Sequence, residues 1–166
     1  MSWLIRMRGL IAVALMIAAS LGNETIASDL IALSEEGWHT WRVPSVEIPG
    51  EERIYVLMRS GEPAKIEVPG RWCNNLPHNG EVIDLGLVST DESIDWLQQY
   101  VESRTDIGSD ALAAISRHAG DRSLNVLIGI VESDADQELR EQAVFWMVLS
   151  ESDDAFNYID RLLTKK

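Results

Sequence analysis

Hydrophobic and polar residues follow two different periods along this chain, and the period changes near residue 89. Between residues 37 and 88, apolar residues form short groups that alternate with polar ones and are separated by Pro and Gly. This alternation is typical of strands that bury one face. It predicts four strands, which span Trp38 to Val43, Arg53 to Arg59, Ala64 to Val68 and Val82 to Val88.

The connections between these strands differ in character. Between the second and third strands lies the turn-rich tetrad Ser60-Gly61-Glu62-Pro63, which favours a tight hairpin. The segment from Pro69 to Gly80 is rich in Pro and Asn and predicts an irregular loop. We therefore expect a small antiparallel β-sheet in the region 28–90.

After Ser89 the apolar residues recur three and four positions apart, which is the spacing of amphipathic helices. Ser89 and Glu92 fit a capping box at the start of the first helix. Breaks near residues 103–108, 120, 133–136 and 150–154 divide the region 91–166 into five helices, with a cap at Ser109 or Asp110 for the second. The fold class expected is α+β, with the β-rich region first.

The helical region contains an internal repeat. A shift of 32 residues superposes several positions of similar character, namely Ala111 on Ala143, Leu112 on Val144, Ile115 on Met147, Asp121 on Asp153, Asn125 on Asn157 and Leu127 on Ile159. This pattern predicts two helical hairpins with one plan. Such units bury their apolar faces by stacking on neighbours.

The repeat resembles a known class. The run from Asp136 to Ala143, with an acidic cap, an apolar residue, Arg140 and a small residue, resembles the opening of a bacterial HEAT-like repeat of the phycobilisome-lyase HEAT-like class. The match covers Ser109 to Leu163. It implies two HEAT-like hairpins and a protein-binding role, and we transfer no lyase activity. Gly108 stands 32 positions before Arg140, so the first unit departs from the pattern.

The first 27 residues have the three parts of a secretory signal. Arg6 and Arg8 precede an apolar run that ends by Gly22, and small or polar residues follow. The run is shorter than the ~20 residues that span a bilayer, so we expect cleavage rather than stable membrane insertion. Cleavage after Ser20 or Ala27 would release a periplasmic or secreted protein.

The charge of the chain restricts its partners. Lys and Arg number 14 against 27 Asp and Glu, which gives a net charge of −13. Nucleic-acid binding depends on clustered Lys and Arg, so we expect no nucleic-acid partner. An acidic surface of this size most commonly serves solubility, and it is also suited to a basic partner.

Motifs for catalysis are missing from the sequence, which has no Gly-x-Ser-x-Gly, no P-loop and no His-Glu-x-x-His. Cys73, His78 and His39 could form a three-ligand metal set, but their spacing is not that of zinc motifs and a fourth ligand is lacking. We therefore expect no enzyme activity, catalytic residue, metal or cofactor. His118 is expected at an exposed helix end, where it caps carbonyl groups.

These observations favour an exported protein–protein interaction module that acts as a scaffold or adaptor. Aromatic side chains dominate binding hot spots, and acidic helix starts suit a basic partner. The candidate partner-binding residues are Phe145, Arg140, Glu141, Asp121, Asp153 and Asp154. Trp146 is expected in the core, and Arg140 could instead pair with an acidic residue of the adjacent hairpin. The alternatives are an inhibitor or regulator of an envelope enzyme, and an enzyme with its site between Pro69 and Gly80.

Overall fold

The computed structural model describes residues 33, 35–45, 50–69, 80–103, 105–150 and 152–164, in which four strands precede five helices. The strands are β1 (Gly37–Pro44), β2 (Glu51–Arg59), β3 (Glu62–Glu67) and β4 (Val82–Leu87). The helices are α1 (Thr90–Val101), α2 (Asp106–Ser116), α3 (Asp121–Glu132), α4 (Gln137–Leu149) and α5 (Asp153–Thr164). The expected α+β fold is therefore confirmed. Residues 1–27, which hold the predicted signal, lie outside the described residues, and no helix within the described ranges is long and apolar enough to cross a membrane.

The strands form one sheet in the order β3-β2-β1-β4. β2 is antiparallel to both β1 and β3, and the hairpin between β2 and β3 turns at Ser60 and Gly61, as the tetrad predicts. β4, however, runs parallel to β1, so the expectation of a wholly antiparallel sheet is wrong for this strand. The reason is the connection, because residues 68–81 join strands at opposite edges and are long enough for a crossover.

One hydrophobic core joins the sheet to all five helices. On β2, the side chains of Ile54, Val56 and Met58 are buried on one face, as the alternation predicts, although Tyr55 is buried as well. Trp41 of β1 contacts Trp96 of α1 edge-on, with ring centroids 5.5 Å apart. Further contacts join β3 to α2. The sheet therefore forms the base on which the helices stack.

The starts of α1 and α4 follow local capping chemistry, whereas α2 and α3 have no side-chain cap. Ser89 Oγ accepts a hydrogen bond from the Glu92 amide over 3.3 Å, and Asp136 Oδ1 accepts one from the Leu139 amide over 2.9 Å. α2 begins at Asp106, earlier than the predicted cap at Ser109 or Asp110. Gly108 therefore lies inside a helix rather than in a break.

Gly108 is needed because two helices approach closely at this point. A Cβ atom on Gly108 would lie 2.8 Å from the carbonyl oxygen of Val101, at the end of α1, and closer still to that of Ser103. Only glycine leaves room for these backbone atoms. The close approach also explains why the first unit has no arginine at the position that corresponds to Arg140.

The helices after α1 form two hairpins, α2–α3 (the first hairpin) and α4–α5 (the second hairpin). A shift of 32 residues converts the bounds of α3 into those of α5 at both ends. α2 contacts α4, and the superposed residues on these two helices are fully buried in two cases, Ala111 with Ala143 and Ile115 with Met147. Leu127 is buried on α3, whereas Ile159 on α5 is only half-buried.

Candidate functional site

The second hairpin exposes a row of apolar and acidic side chains on each of its two helices, and we call the two rows together the open face. On α4 it comprises Glu138, Glu141, Phe145 and Val148, and on α5 it comprises Asp153, Phe156, Asp160 and Leu163. Both sets have the spacing i, i+3, i+7 and i+10, which places them along one side of each helix. All eight side chains are exposed, and the exposed fractions of Phe145, Phe156 and Leu163 are 54%, 49% and 80%.

In the first hairpin, the equivalents of the apolar members of the open face are less exposed. The residues 32 positions before the apolar members of the open face are all buried or half-buried, and they are Ala113, Ser116, Leu124 and Val131. Leu124 lines a cleft against α5, and Val131 lines a groove against α4. The second hairpin thus lies against Leu124 and Val131 of the first, and in the described part of the chain no further hairpin covers the second.

Phe145 is the predicted partner-binding residue that lies on the open face with its ring exposed. Its ring meets that of Trp146 edge-on, with centroids 5.1 Å apart. Trp146 is half-buried and packs against the core, in line with its expected structural role. Trp146 therefore supports the exposed ring of Phe145 from the side of the core.

Arg140 and Glu141 line a shallow groove of about 370 Å³ between α3 and α4, together with Val131 and Val144. The Gln137 side-chain amide donates a hydrogen bond to Glu141 Oε1 over 2.6 Å. No ion pair between described residues includes Arg140, so its expected pairing with the first hairpin is not observed there. Glu141 also belongs to the open face.

The predicted acidic residues divide between two places. Asp121 and Asp154 come together with Asp160 in an open cleft of about 480 Å³ between α3 and α5, where Arg161 supplies a positive charge. Asp153 lies on the open face instead. Carboxylates at helix starts are also stabilised by the helix dipole, so a role in folding accounts for part of their placement.

Three apolar members of the open face, Val148, Phe156 and Leu163, are absent from the predicted site. Their periodicity is visible in the sequence, since they fall 32 residues after positions of the first hairpin. The same periodicity occurs whether or not a neighbour covers the helix. The sequence therefore contained a signal for this face but not for its exposure.

A serine and a histidine are in contact in the core. Ser93 Oγ lies 2.8 Å from His118 Nε2 and accepts a hydrogen bond from Trp41 Nε1 over 2.8 Å. His118 Nδ1 lies 2.9 Å from the carbonyl oxygen of Ala114, and burial lowers the pKa of His118 to about 4. Both the serine and the histidine are fully buried, so this hydroxyl has no path to a substrate. The expectation that His118 lies on an exposed helix end is wrong, because the end of α2 docks against β1.

The predicted metal set is only partly described. Cys73 and His78 lie outside the described residues, and His39 is buried on β1 with Nε2 3.0 Å from the carbonyl oxygen of Glu35. Within the described ranges, no group of three or more His, Cys, Asp or Glu side chains is arranged to hold a metal ion.

Comparison with protein-family models, with curated proteins and with solved structures gave no match to this chain. The HEAT-like resemblance therefore stays a prediction. Function is inferred from the geometry of the described residues, and the open face is the feature of that geometry that most needs an explanation.

Proposed function

We propose that this protein is an exported protein–protein interaction module, a scaffold or adaptor, which binds its partner through the open face of α4 and α5. The proposal depends on one observation, the exposure of Phe145, Phe156 and Leu163 on adjacent helices. Large apolar side chains that cluster on a surface mark interaction sites more often than single ones do.

The energetics of association support this choice of surface. Burying apolar area contributes about 25 cal/mol per Å², so covering the exposed half of each phenylalanine, about 100 Å², contributes roughly 2 kcal/mol. Phenylalanine and its aromatic neighbour also lose little conformational entropy on binding, because the Phe145 ring already rests against Trp146. Such rings are suited to the centre of an interface.

The first hairpin provides a template for the bound state. Its Leu124 and Val131 correspond to Phe156 and Leu163, and they face α5 and α4. A helix or a helical hairpin is therefore the shape that covers a face of this kind. We expect the partner to contribute helical structure to the contact.

The test is affinity capture from envelope extracts with the exported chain and a double variant, Phe145→Ser with Phe156→Ser. The matched control is Ile83→Ser with Leu87→Ser on β4, whose side chains are 39% and 45% exposed. We expect the partner to be lost with the first variant and kept with the second, while circular dichroism shows both to be folded. Equal capture by both variants and the wild type would remove the open face from the proposal.

Export is a separate part of the proposal and depends on residues 1–27. N-terminal sequencing of the protein recovered from the periplasm or the medium should find a mature chain that begins between Leu21 and Asp29. Recovery of the chain with Met1 intact from a membrane pellet would contradict cleavage, and would leave the binding surface unaffected.

A further inference from the structure

The open face has an ordered charge pattern in addition to its apolar side chains. On each helix two carboxylates accompany two apolar residues, and neither set contains a Lys, Arg or His. Glu138 and Glu141 precede Phe145 on α4, and Asp160 stands between Phe156 and Leu163 on α5. Four negative charges are therefore interleaved with four apolar groups.

These carboxylates form no ion pair with the described cations, although Asp160 shares the α3–α5 cleft with Arg161 and Glu141 shares the α3–α4 groove with Arg140. The ion pairs between described residues are formed by Arg42, Arg53, Lys65 and Arg122, and none includes a carboxylate of the open face. Glu141 accepts a hydrogen bond from Gln137, which is neutral. The carboxylates of the open face therefore have no ion-pair partner among the described residues, and they favour a partner surface that supplies cations.

We infer that the open face binds a basic amphipathic helix of a partner protein, an inference that rests on the proposed function. The apolar side chains of this helix would cover Phe145 and Phe156, and its Lys and Arg side chains would pair with Glu141 and Asp160. Complementary charge of this kind fixes register and accelerates encounter more than it adds affinity. A helix with alternating cationic and apolar groups matches the spacing of both sets.

A second copy of the chain fits the surface poorly. In a two-fold contact the same face meets itself, so four carboxylates would oppose four others between molecules whose full sequence carries a net charge of −13. A head-to-tail stack would need a free side of the first hairpin, and α1 and β3 already contact this hairpin. A basic partner would pair with these carboxylates, whereas a second copy would add an equal number of negative charges to the contact.

The length of the surface limits the partner segment. From Glu138 to Val148 the surface spans eleven residues, which are ten helical steps and correspond to about 15 Å at the helical rise of ~1.5 Å per residue. A partner helix of about three to four turns covers this length. Synthetic peptides of that size can therefore serve as probes.

The test uses two labelled helical peptides with identical leucine faces, one flanked by lysine and the other by glutamate, titrated into the exported chain by fluorescence anisotropy. We expect the lysine peptide to bind at least about tenfold more tightly than the glutamate peptide, and to weaken as salt screens the charges. The double variant Glu141→Lys with Asp160→Lys should abolish this preference. The control Glu81→Lys with Glu102→Lys changes the net charge equally at exposed positions outside the open face and should retain it.

In the peptide and sedimentation experiments, three outcomes would overturn the inference. They are equal binding of the two peptides, binding of neither, and sedimentation of the exported chain as a dimer that Phe145→Ser with Phe156→Ser dissociates. The proposed function fails on a different result, namely that the variant Phe145→Ser with Phe156→Ser still captures the partner from envelope extracts. If the phenylalanine variant loses the partner while Glu141→Lys with Asp160→Lys keeps it, the interaction module stands and the basic helix does not.

Discussion

The hydroxyl of Ser93 and Nε2 of His118 lie 2.8 Å apart in the core, where they join α1 to the end of α2. Trp41 Nε1 donates a hydrogen bond to the same hydroxyl, so β1 is tied to this junction as well. With the proton of the neutral ring on Nδ1, the Ser93 hydroxyl donates to Nε2 and Nδ1 donates to the Ala114 carbonyl group. Each donor then has an acceptor. A second proton on the His118 ring, at Nε2, would point toward the proton of the Ser93 hydroxyl.

We predict that acidification destabilises the protein through His118. Burial lowers its folded-state pKa from 6.5 to about 4, so the unfolded chain takes up a proton first as the pH falls. The stabilisation is complete above pH 6.5 and is lost progressively toward pH 4, by up to about 3 kcal/mol at ~1.4 kcal/mol per pKa unit. Urea unfolding of the wild type and of His118→Gln between pH 7.5 and 4.5 measures this. An equal slope in both proteins would exclude His118 as the source.

Glu52 should have the opposite pH dependence. Its side chain is buried on β2, Ser45 Oγ donates to its Oε2 over 3.2 Å, and Oε1 has no hydrogen-bond partner among the described residues. Desolvation raises the pKa of Glu52, and the hydrogen bond from Ser45 only partly opposes this. Stability from this group is therefore complete below pH 4.5 and decreases as the pH rises through the folded-state pKa.

We accordingly expect Glu52→Gln to raise the free energy of unfolding at pH 7 by about 1 kcal/mol, since it removes a buried charge and keeps an acceptor for Ser45. At pH 4 the variant and the wild type should agree. The control is Glu51→Gln, which breaks an exposed ion pair with Arg42 over 2.7 Å and should cost at most about 1 kcal/mol. Destabilisation by Glu52→Gln at pH 7 would contradict the assignment of a costly buried carboxylate.

The elements that could be predicted from the sequence are those with local causes. The predicted helix from about Gln137 to Leu149 has the observed bounds, because Asp136 caps it and its apolar spacing is regular. The partner of β4 could not be predicted, because it depends on where the chain crosses the sheet. The burial of His118 is equally non-local, since it follows from a bridge between that residue and Ser45.

The candidate site divides in the same way. The repeat of 32 residues aligns the helix starts of α3 and α5, so the acidic first turns that hold Asp121 and Asp154 could be predicted, but not that these two residues share a cleft. Phe156 and Leu163 could not, because apolar periodicity is the same for a covered and an uncovered helix. Exposure depends on the end of the stack, which is a property of the assembled fold.

Gly108 and Gly129 should respond oppositely to alanine, although both lie inside helices. Alanine improves the helix propensity by up to about 1 kcal/mol at either position. At Gly108 the added Cβ would meet the carbonyl oxygens of Val101 and Ser103, whereas at Gly129 nothing lies within 4 Å. We expect Gly108→Ala to lower the free energy of unfolding by about 1 to 3 kcal/mol and Gly129→Ala to raise it slightly. Denaturant unfolding of both variants measures the contrast, and a stabilised Gly108→Ala would mean that α1 and α2 are less closely packed.

The two hairpins should also differ in what their equivalent residues contribute to stability. Leu127 is buried between its neighbours, so Leu127→Ala should cost about 2 to 4 kcal/mol, as expected for a large-to-small change that leaves a cavity. Ile159 occupies the equivalent position 32 residues later but is half-buried, because no hairpin in the described chain follows it. Ile159→Ala should therefore cost roughly half as much, since less apolar area returns to water. Thermal or urea unfolding of the two variants tests the repeat and the exposed end together. Equal and large losses would indicate that the second hairpin is covered in solution, and negligible losses in both would mean that the 32-residue repeat does not describe the core.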